Sequence, residues 1–266
     1  MTASEDKLFA DEIQEGLKTR TLGKRVFSYE DLDSTNNAVR KLAEEGLAEG
    51  ACVFAEHQKK GRGRLGRKWD SPKGSGILLS VLLRPSIEPY AVPRVTLAAA
   101  LAVIRAVKQE TGLQLGVKWP NDVVHEGKKL CGILTEMSAE TDRVNFLVLG
   151  IGLNVNSKAA DLPPGSTSLR ELLGKKVARV PLAQKILQEL EKSYERVKAG
   201  KHEELCEEWE SVSHTTGQQV SAKLLGRTVH GIATGIDADG ALWIRHDNGF
   251  QERILSGDVQ LIRKKP

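Results

Sequence analysis

The apolar residues of this chain form long periodic runs at first and short, turn-separated runs later. Residues 77–83 are continuously apolar over the length of one strand, which is typical of a strand buried on both faces. Apolar positions recur at helical spacing over residues 93–111 and 181–199, which predicts two amphipathic helices. From His214 onwards, glycine- and aspartate-rich turns separate short strand-like runs, and this texture predicts a small all-β barrel.

These patterns divide the chain into three parts. A helical lead-in covers residues 1–24, a larger domain of helices and strands covers residues 25–213, and the barrel covers residues 214–266. Apolar residues of the lead-in could share one helix face, and Gly23 would end that helix. Because the barrel is small, we expect the functional chemistry to lie in the larger domain.

Ser34 and Thr35 follow a predicted strand and precede a predicted helix that runs through Ala48. Either residue is a good N-cap, since its hydroxyl can accept a hydrogen bond from the first turn. The same polar groups could instead face the polar end of a ligand. The residues alone leave both interpretations open.

Composition narrows the class of protein. The 266 residues are 40% hydrophobic and 28% charged, as in an ordinary globular protein, and the net charge of +4 does not by itself indicate DNA binding. Cys52, Cys131 and Cys206 form no C-x-x-C pair and fit reduced thiols better than disulfides or a zinc site. We find no apolar run of the ~18 residues expected of a transmembrane helix and no signal-peptide core, so the cytoplasm is the expected location.

The most unusual stretch is residues 58–69, which holds six cations, three glycines and no acid. Glycine lets backbone approach a ligand closely, and arginine presents a planar fork to carboxylate or phosphate oxygens. Gly61, Gly63 and Gly66 also spell the dinucleotide-binding fingerprint, but helix-breaking residues follow where that motif needs a helix, which excludes it. This arginine-glycine loop could close over an anionic ligand, or it could be a solvated basic segment or nucleic-acid patch.

Two further places offer polar side chains at positions that a fold would hold rigidly. Trp119-Pro120 interrupts two strand-like pieces, and a proline there marks a strand end or bulge that presents Lys118, Asn121 and Asp122. Lys129 precedes an apolar strand and could direct its ammonium inward, although lysine is usually exposed. A purely structural turn and an exposed lysine remain alternatives.

The sequence lacks the usual motifs of nucleophilic or metal catalysis. It contains no G-x-S-x-G elbow, no P-loop and no H-E-x-x-H spacing. The remaining arginines, lysine and amides suit chemistry in which positioning and charge neutralisation dominate, such as phosphoryl or nucleotidyl transfer.

Five blocks, taken together and in order, carry a more specific signal. They are Ser34-Thr35-Asn36, the arginine-glycine loop, and residues 118–122, 129–134 and 150–154. This set resembles the biotin–protein ligase family, which includes the biotin–[acetyl-CoA-carboxylase] ligases. The resemblance implies an α+β fold, with an α/β catalytic domain like that of class II aminoacyl-tRNA synthetases, a mixed sheet flanked by helices, and a C-terminal SH3-like barrel.

The resemblance also implies a reaction in two steps. Biotin's carboxylate attacks the α-phosphate of ATP to give biotinyl-5′-AMP and pyrophosphate, and a lysine of a biotin carboxyl carrier domain then displaces AMP. Two anions meet in the first step, so cations must offset their repulsion. Mg²⁺ would arrive with ATP, held largely by phosphates and water rather than by a protein metal site. Biotin, ATP and the carrier are the implied partners, and a homodimer is expected.

Residue roles follow from the same resemblance. Lys129 would bridge the biotin carboxylate and the α-phosphate, Arg64 would bind their junction, and Asp122 would orient or deprotonate the incoming amine. The implied biotin-binding residues are Ser34, Thr35, Asn36, Gln58, Gly61, Arg62, Gly63, Arg64, Lys129, Gly132, Gly150 and Gly152. The implied nucleotide-binding residues are Arg64, Arg67, Trp69, Asn121 and Asn154.

Several alternatives stay open at this point. Many relatives carry an N-terminal winged helix-turn-helix and repress the biotin operon, whereas residues 1–24 are too few for that module. We therefore expect a ligase without DNA binding, with a truncated form of a two-function ligase and repressor as one alternative. A lipoate-type ligase is another, although the full loop and the barrel favour biotin. A nucleic-acid-binding module would use the loop as a phosphate patch and would not need Lys129.

Overall fold

The computed structural model describes residues 6–262, so residues 1–5 of the predicted lead-in lie outside it. Within that range, seven strands form one mixed sheet in the order β1-β2-β3-β7-β6-β5-β4. Its strands are β1 (Val26–Leu32), β2 (Cys52–Gln58), β3 (Gly76–Leu83), β4 (Gly116–Lys118), β5 (Asp122–His125), β6 (Lys128–Ala139) and β7 (Val144–Asn154). Strands β1 and β2 run parallel, and the other neighbouring pairs are antiparallel.

Helices cover both faces of this sheet. They are α1 (Ala10–Glu15), α2 (Thr35–Glu44), α3 (Val92–Thr111), α4 (Leu169–Leu173), α5 (Arg179–Lys198) and α6 (His202–Ser211). Alternate residues of a strand point to opposite faces, so Phe54 joins the large core with α3 and α5, while Val53 joins a smaller core with Val39 of α2. The two predicted long helices and the buried strand at residues 77–83 are confirmed.

Helix α3 is also long and apolar enough to cross a membrane, judged by length and composition alone. The segment Pro89–Thr111 has a mean hydropathy of 1.5, which corrects the expectation that no run would reach that length. In the fold, 72% of its most apolar window is buried inside the molecule. Packing against α5 and β6 accounts for its apolar surface, as for any core helix.

The C-terminal region forms a second, five-stranded antiparallel sheet in the order β11-β10-β9-β8-β12. Its strands are β8 (Gln219–Leu224), β9 (Arg227–Ile236), β10 (Leu242–Arg245), β11 (Gln251–Ile254) and β12 (Asp258–Leu261). The strand-like runs that the sequence predicts after His214, residues 220–224, 228–236, 242–244 and 252–255, fall on β8 to β11, whereas β12, only four residues long, was not predicted. With this small antiparallel unit behind a helix-flanked mixed sheet, the α+β class is confirmed.

Several predicted boundaries moved for local reasons. Helix α1 ends before Gly16 rather than at Gly23, and α2 ends near Gly46, whose φ of +86° is left-handed, rather than at Ala48. Ser34 occupies the N-cap of α2, but its side chain makes no capping hydrogen bond. Ser168 caps α4, because its Oγ accepts from the Glu171 N–H at 3.2 Å.

Candidate functional site

The arginine-glycine loop joins β2 to β3 and lies over a cleft at the centre of the mixed sheet. The cleft encloses about 940 Å³ of atom-free space, part of it open to solvent. Five parts of the fold supply its other walls: the N-terminus of α2, strands β6 and β7, the turn between β4 and β5, and the start of β12. All five sequence blocks line the cleft, each through at least three residues.

One end of the cleft is a buried network of hydroxyls and amides. Gln58 Oε1 accepts from the Thr35 N–H at 2.7 Å and from Thr35 Oγ1 at 3.0 Å. Ser80 Oγ lies 2.7 Å from Thr35 Oγ1 and 2.6 Å from Asn36 Oδ1. Ser34 is 97% buried beside them and also lines the cleft. This polar end could hydrogen-bond a neutral polar head group. Burial of such a group without hydrogen bonds would cost roughly several kcal/mol of binding free energy.

The opposite side of the cleft is charged. Lys129 Nζ forms an ion pair with Asp122 Oδ1 at 2.7 Å and lies 5.6 Å from the centre of the Trp69 ring. The side chain of Lys129 is 35% exposed, so the ammonium faces the cleft rather than the core. The indole Nε1 of Trp69 is buried and has no hydrogen-bond partner within residues 6–262. A buried donor without a partner is costly, and a ligand acceptor would satisfy it.

Three glycines of β6 and β7 make room for side chains on the cleft floor. A Cβ at Gly152 would lie 2.5 Å from Trp69 Cε2, and one at Gly132 would lie 2.9 Å from Trp69 Cζ3. A Cβ at Gly150 would lie 2.3 Å from Asn36 Oδ1. These glycines therefore line the cleft and also leave the space in which the Trp69 indole and the Asn36 amide pack.

The loop itself folds back as a small hairpin. Gly63 N–H donates to the Arg67 carbonyl at 2.7 Å, and Trp69 N–H donates to the Gly61 carbonyl at 3.0 Å. At its tip Leu65 has φ +56° and is 70% exposed. The three-residue 3₁₀ turn there is not the helix start that a dinucleotide fingerprint needs.

Two acidic anchors hold the hairpin at either side. On one side, Arg62 Nη2 lies 3.0 and 3.1 Å from the Glu136 carboxylate oxygens. On the other, Arg67 Nη2 donates to Asp258 Oδ2 at 2.5 Å. Between them, Arg64 Nη1 contacts only neutral acceptors, Asn121 Oδ1 at 3.3 Å and the carbonyl of Gly257 at 3.4 Å.

These environments shift the pKa values in opposite directions. Burial lowers the pKa of the Arg64 guanidinium, although the charges of Asp122 and Asp258 oppose that shift. Burial raises the pKa of Asp258, but its hydrogen bond with Arg67 and nearby cations outweigh burial and lower the pKa overall. The hydrogen bond raises the pKa of Arg67. Arg64 is thus the loop arginine without an ion-pair partner in the described chain, and it faces the cleft.

Hydrogen bonds to residues 215 and 240 hold the turn between β4 and β5. Trp119 N–H donates to Thr215 Oγ1 at 2.9 Å, and its indole N–H donates to the Gly240 carbonyl at 3.0 Å. Asn121 Nδ2 donates to the Ile133 carbonyl at 2.7 Å, which turns Asn121 Oδ1 towards Arg64. Hydrogen bonds on both sides of its amide therefore hold Asn121 at the corner that the sequence singled out.

The cleft gathers most of the residues that the sequence singled out. Those that line it are Ser34, Thr35, Asn36, Gln58, Arg62, Gly63, Arg64, Arg67, Trp69, Asn121, Asp122, Lys129, Gly132, Gly150 and Gly152. Gly61 and Asn154 do not line it. The α-carbon of Gly61 faces the Trp69 carbonyl, and Asn154 is buried and donates to the Thr167 carbonyl at 3.1 Å.

Sequence reasoning missed four residues at this site: Ser80, Glu136, Gly257 and Asp258. Ser80 and Glu136 lie in apolar strands, where alternation alone cannot distinguish a polar core residue from a cleft residue. The other two lie at the start of β12, in the part that we expected to be remote from the chemistry. No spacing signal in the sequence connects them to the loop.

Within residues 6–262, no group of three or more histidine, cysteine, aspartate or glutamate side chains could hold a metal ion. The cleft instead combines a neutral hydrogen-bonding end, a glycine-backed indole, and the cations Arg64 and Lys129. That arrangement can hold a ligand with a polar head next to anionic groups, and can offset repulsion between two anions brought side by side.

Comparison with known proteins gives two family matches. Residues 29–154 match the biotin/lipoate A/B protein ligase family, and residues 215–262 match the biotin protein ligase C-terminal domain. The bifunctional ligase/repressor BirA of Bacillus subtilis is 39% identical over 259 residues, which covers 96% of this chain and 79% of that protein. A biotin–[acetyl-CoA-carboxylase] ligase of Mycobacterium tuberculosis is 36% identical and covers 86% of each chain.

A solved structure is similar over nearly the same length. Biotin protein ligase from Aquifex aeolicus, in complex with biotin and ATP, aligns with a TM-score of 0.76 at 31% identity. The alignment covers 91% of this chain and 100% of that one. An alignment of that length includes residues of both sheets.

Proposed function

Because the chain belongs to the biotin/lipoate A/B protein ligase family, we infer that it is a biotin–protein ligase. It activates biotin with ATP to biotinyl-5′-AMP and transfers biotin to a lysine of a biotin carboxyl carrier domain. The observation that carries this function is the single cleft in which Lys129, Arg64 and the polar end around Asn36 meet. A solvated basic loop or a phosphate patch would not need that shared hollow.

In the first step, a biotin carboxylate oxygen bonds to the α-phosphorus of ATP, and the bond from that phosphorus to pyrophosphate breaks. Lys129 and Arg64 lie on the cleft wall and supply positive charge where the two anions meet. We assign the ureido head of biotin to Thr35, Asn36 and Gln58, whose hydroxyl and amides already form one network.

In the second step, the amine nitrogen of the carrier lysine bonds to the biotinyl carbonyl carbon, and AMP leaves with the bonding electrons. The amine must be neutral to attack, so a group has to take its proton. In this structure Asp122 is paired with Lys129 at 2.7 Å. When Lys129 turns to the ligand anions, the Asp122 carboxylate is released, and we assign it to accept that proton.

The nucleotide lies towards Trp69, Asn121 and Arg67, on the side of the cleft that β12 completes. Trp69 offers a ring face and the unpartnered indole N–H to the base or ribose. Asn154 lies behind the cleft wall and would act through the position of the strand end rather than by direct contact. Mg²⁺ accompanies ATP and is held by its phosphates and water.

We also propose a division of the chain at residues 24/25 and 213/214, a cytoplasmic location, and a homodimer. The two matched segments, residues 29–154 and 215–262, fall inside the proposed domains. Three free cysteines, two of them buried, fit a reducing compartment. The homodimer rests on the family resemblance alone.

The test is to incubate the protein with labelled biotin, Mg-ATP and a carrier domain, and to measure label on the carrier. We expect transfer that depends on ATP and on the target lysine, with a carrier lysine-to-arginine variant as the control. Biotin plus ATP should also raise Tm beyond either ligand alone, because the adenylate binds tightly to the native state. Adenylation of lipoate or octanoate in place of biotin would contradict the assignment.

A further inference from the structure

Glu136 belongs to none of the roles assigned so far, yet it contacts two parts of the site. It lies on β6 opposite Val148 of β7, and its side chain is 25% exposed. One carboxylate oxygen accepts from Asn36 Nδ2 at 2.8 Å, and both oxygens lie within 3.1 Å of Arg62 Nη2. A single carboxylate therefore joins the polar end of the cleft to the arginine-glycine loop.

The contact with Asn36 fixes the orientation of its amide. Nδ2 faces the carboxylate, while Oδ1 lies 2.6 Å from Ser80 Oγ and packs over Gly150. The flipped amide would place Oδ1 against the carboxylate, where two acceptors repel. Glu136 thereby dictates which face of Asn36 is a donor and which is an acceptor for a bound head group.

The contact with Arg62 fixes the loop. Arg62 pairs with Lys68 across the hairpin, and its side chain is 42% exposed. The loop carries six cations within twelve residues, so its closure brings like charges together unless acids offset them. Glu136 supplies that offset on the side next to the polar end of the cleft.

We propose that Glu136 is a positioning residue for biotin, which couples the orientation of Asn36 to the closed position of the loop through Arg62. This inference rests on the proposed ligase function. Glu136 contacts neither reacting group, so its removal weakens binding of biotin rather than the chemical step. The energetic link between Asn36 and Arg62 runs through one shared carboxylate, so the effects of removing Glu136 and Arg62 overlap.

The test is a double-mutant cycle on adenylate formation, with Glu136→Gln, Arg62→Gln and the double variant. We expect each single variant to raise KM for biotin about tenfold, the scale of one charge-assisted hydrogen bond. We expect kcat and KM for ATP to stay within about twofold, and the double variant to be no worse than the more impaired single variant. Glu140→Gln is the matched control, because Glu140 lies at the far end of β6–β7 and pairs only with exposed Arg143.

An unchanged biotin KM in Glu136→Gln, or a double variant whose effect is the product of the singles, would overturn this role. Glu136→Asp keeps the test decisive if Glu136→Gln fails to fold: it retains the charge but shortens the side chain, so it cannot reach both Asn36 and Arg62, and its biotin KM must rise as well. Wild-type protein that forms no biotinyl adenylate would overturn the proposed function as well. If the wild type is active but the effects of Glu136→Gln and Arg62→Gln on biotin KM multiply in the double variant, only the positioning role is overturned.

Discussion

At the scale of single residues, Arg64 differs from its neighbouring arginines in that no acid pairs with its charge in the described chain. Arg62 and Arg67 are each held by an acid, whereas within residues 6–262 the hydrogen bonds of Arg64 go to neutral acceptors. A cation already paired with a carboxylate attracts a ligand anion less strongly, because the partner's negative charge offsets its own. Arg64 has no such partner in the described chain, so its charge is available to an incoming anion.

Lys129 is the residue on which the first step most depends. We expect Lys129→Ala to lower the rate of adenylate formation by at least about a thousandfold, as expected when a key charge at the reacting atoms is removed. The fold should survive, because the ammonium faces the cleft and not the core. Pyrophosphate release measures the rate, and Lys128→Ala, an exposed neighbour, is the control. A normal rate in Lys129→Ala would remove the assigned role.

The floor glycines allow the two ends of the cleft to be separated experimentally. Gly152→Ala would push against Trp69, and Gly150→Ala would push against Asn36, at 2.5 and 2.3 Å in the present geometry. We expect Gly152→Ala to raise mainly KM for ATP and Gly150→Ala to raise mainly KM for biotin, each about tenfold or more. Each variant serves as the control for the other. The reverse pattern in steady-state kinetics would exchange the assignments of Trp69 and Asn36.

At the scale of elements, the arginine-glycine loop is anchored at both ends in one antiparallel ladder. Strands β2 and β3 pair from Cys52–Val81 to Ala55–Leu78, and all of β3 is buried. The loop can therefore change position without disturbing the core that carries it. Its position depends on its contacts with Glu136 and Asp258, since its own glycines resist ordering.

Arg64→Gly tests the loop as a cover for the intermediate. We expect loss of the guanidinium to release biotinyl-5′-AMP, which would then biotinylate exposed lysines on unrelated proteins. Labelled biotin with a bystander protein such as serum albumin measures this transfer. Lys59→Gly introduces the same backbone freedom at an exposed position of the loop and should leave labelling on the carrier. Labelling by Arg64→Gly that stays confined to the carrier would refute the role.

The elements show what could be predicted from sequence. Long apolar runs predicted α3, α5 and β3. A helix with one buried side, or a strand buried on both faces, leaves a strong apolar pattern in the sequence. β12 left no such pattern, since only its second residue is fully buried. Its first residue, Asp258, reaches the loop only through the packing of the two sheets, and sequence spacing does not encode that distance.

The candidate site was predictable to the extent that its residues fall in compact motifs. Lys129, Arg64 and Asn36 stand in blocks whose order resembles a family, and the cleft gathers them. Glu136 is an isolated acid in a strand that pairs on both sides, so no local signal marks it. The ion pair between Lys129 and Asp122 was also beyond sequence reasoning, which treated the two residues as separate.

At the scale of the whole molecule, a charged cluster joins helices α3 and α6 to the C-terminal sheet away from the cleft. Arg94 of α3 donates to Asp239 Oδ1 at 2.6 Å and lies 2.8 Å from His202 Nε2 at the start of α6. Arg253 of β11 donates to the other oxygen of Asp239 at 2.6 Å. The turn that holds Asp239 also carries Gly240, which accepts from the Trp119 indole beneath the cleft.

His202 makes this junction sensitive to acid. Burial lowers its pKa from the usual 6.5, and the charge of Arg94 lowers it further against the opposing charge of Asp239. The folded state therefore prefers neutral His202, while the unfolded chain binds the proton below about pH 6.5. The stability contributed above that pH is lost as the pH falls through the lower folded-state pKa.

We expect the free energy of unfolding of His202→Gln to fall less than that of the wild type between pH 7.5 and pH 5. Urea unfolding at a series of pH values measures the difference. His230→Gln, at an exposed position on β9, is the control and should follow the wild type. Parallel curves for wild type and His202→Gln would show that the junction does not respond to this proton.

The contact between Arg67 and Asp258 bears on how such enzymes can be recombined. Residues 29–154 and 215–262 each match a family description of their own and could be regarded as exchangeable modules. Here the C-terminal module supplies Asp258, the acid that holds the arginine-glycine loop of the other module. A chimera with a foreign C-terminal module would therefore keep both folds but lose this contact between them. The arginine-glycine loop and the Gly257-Asp258 segment have to be exchanged together.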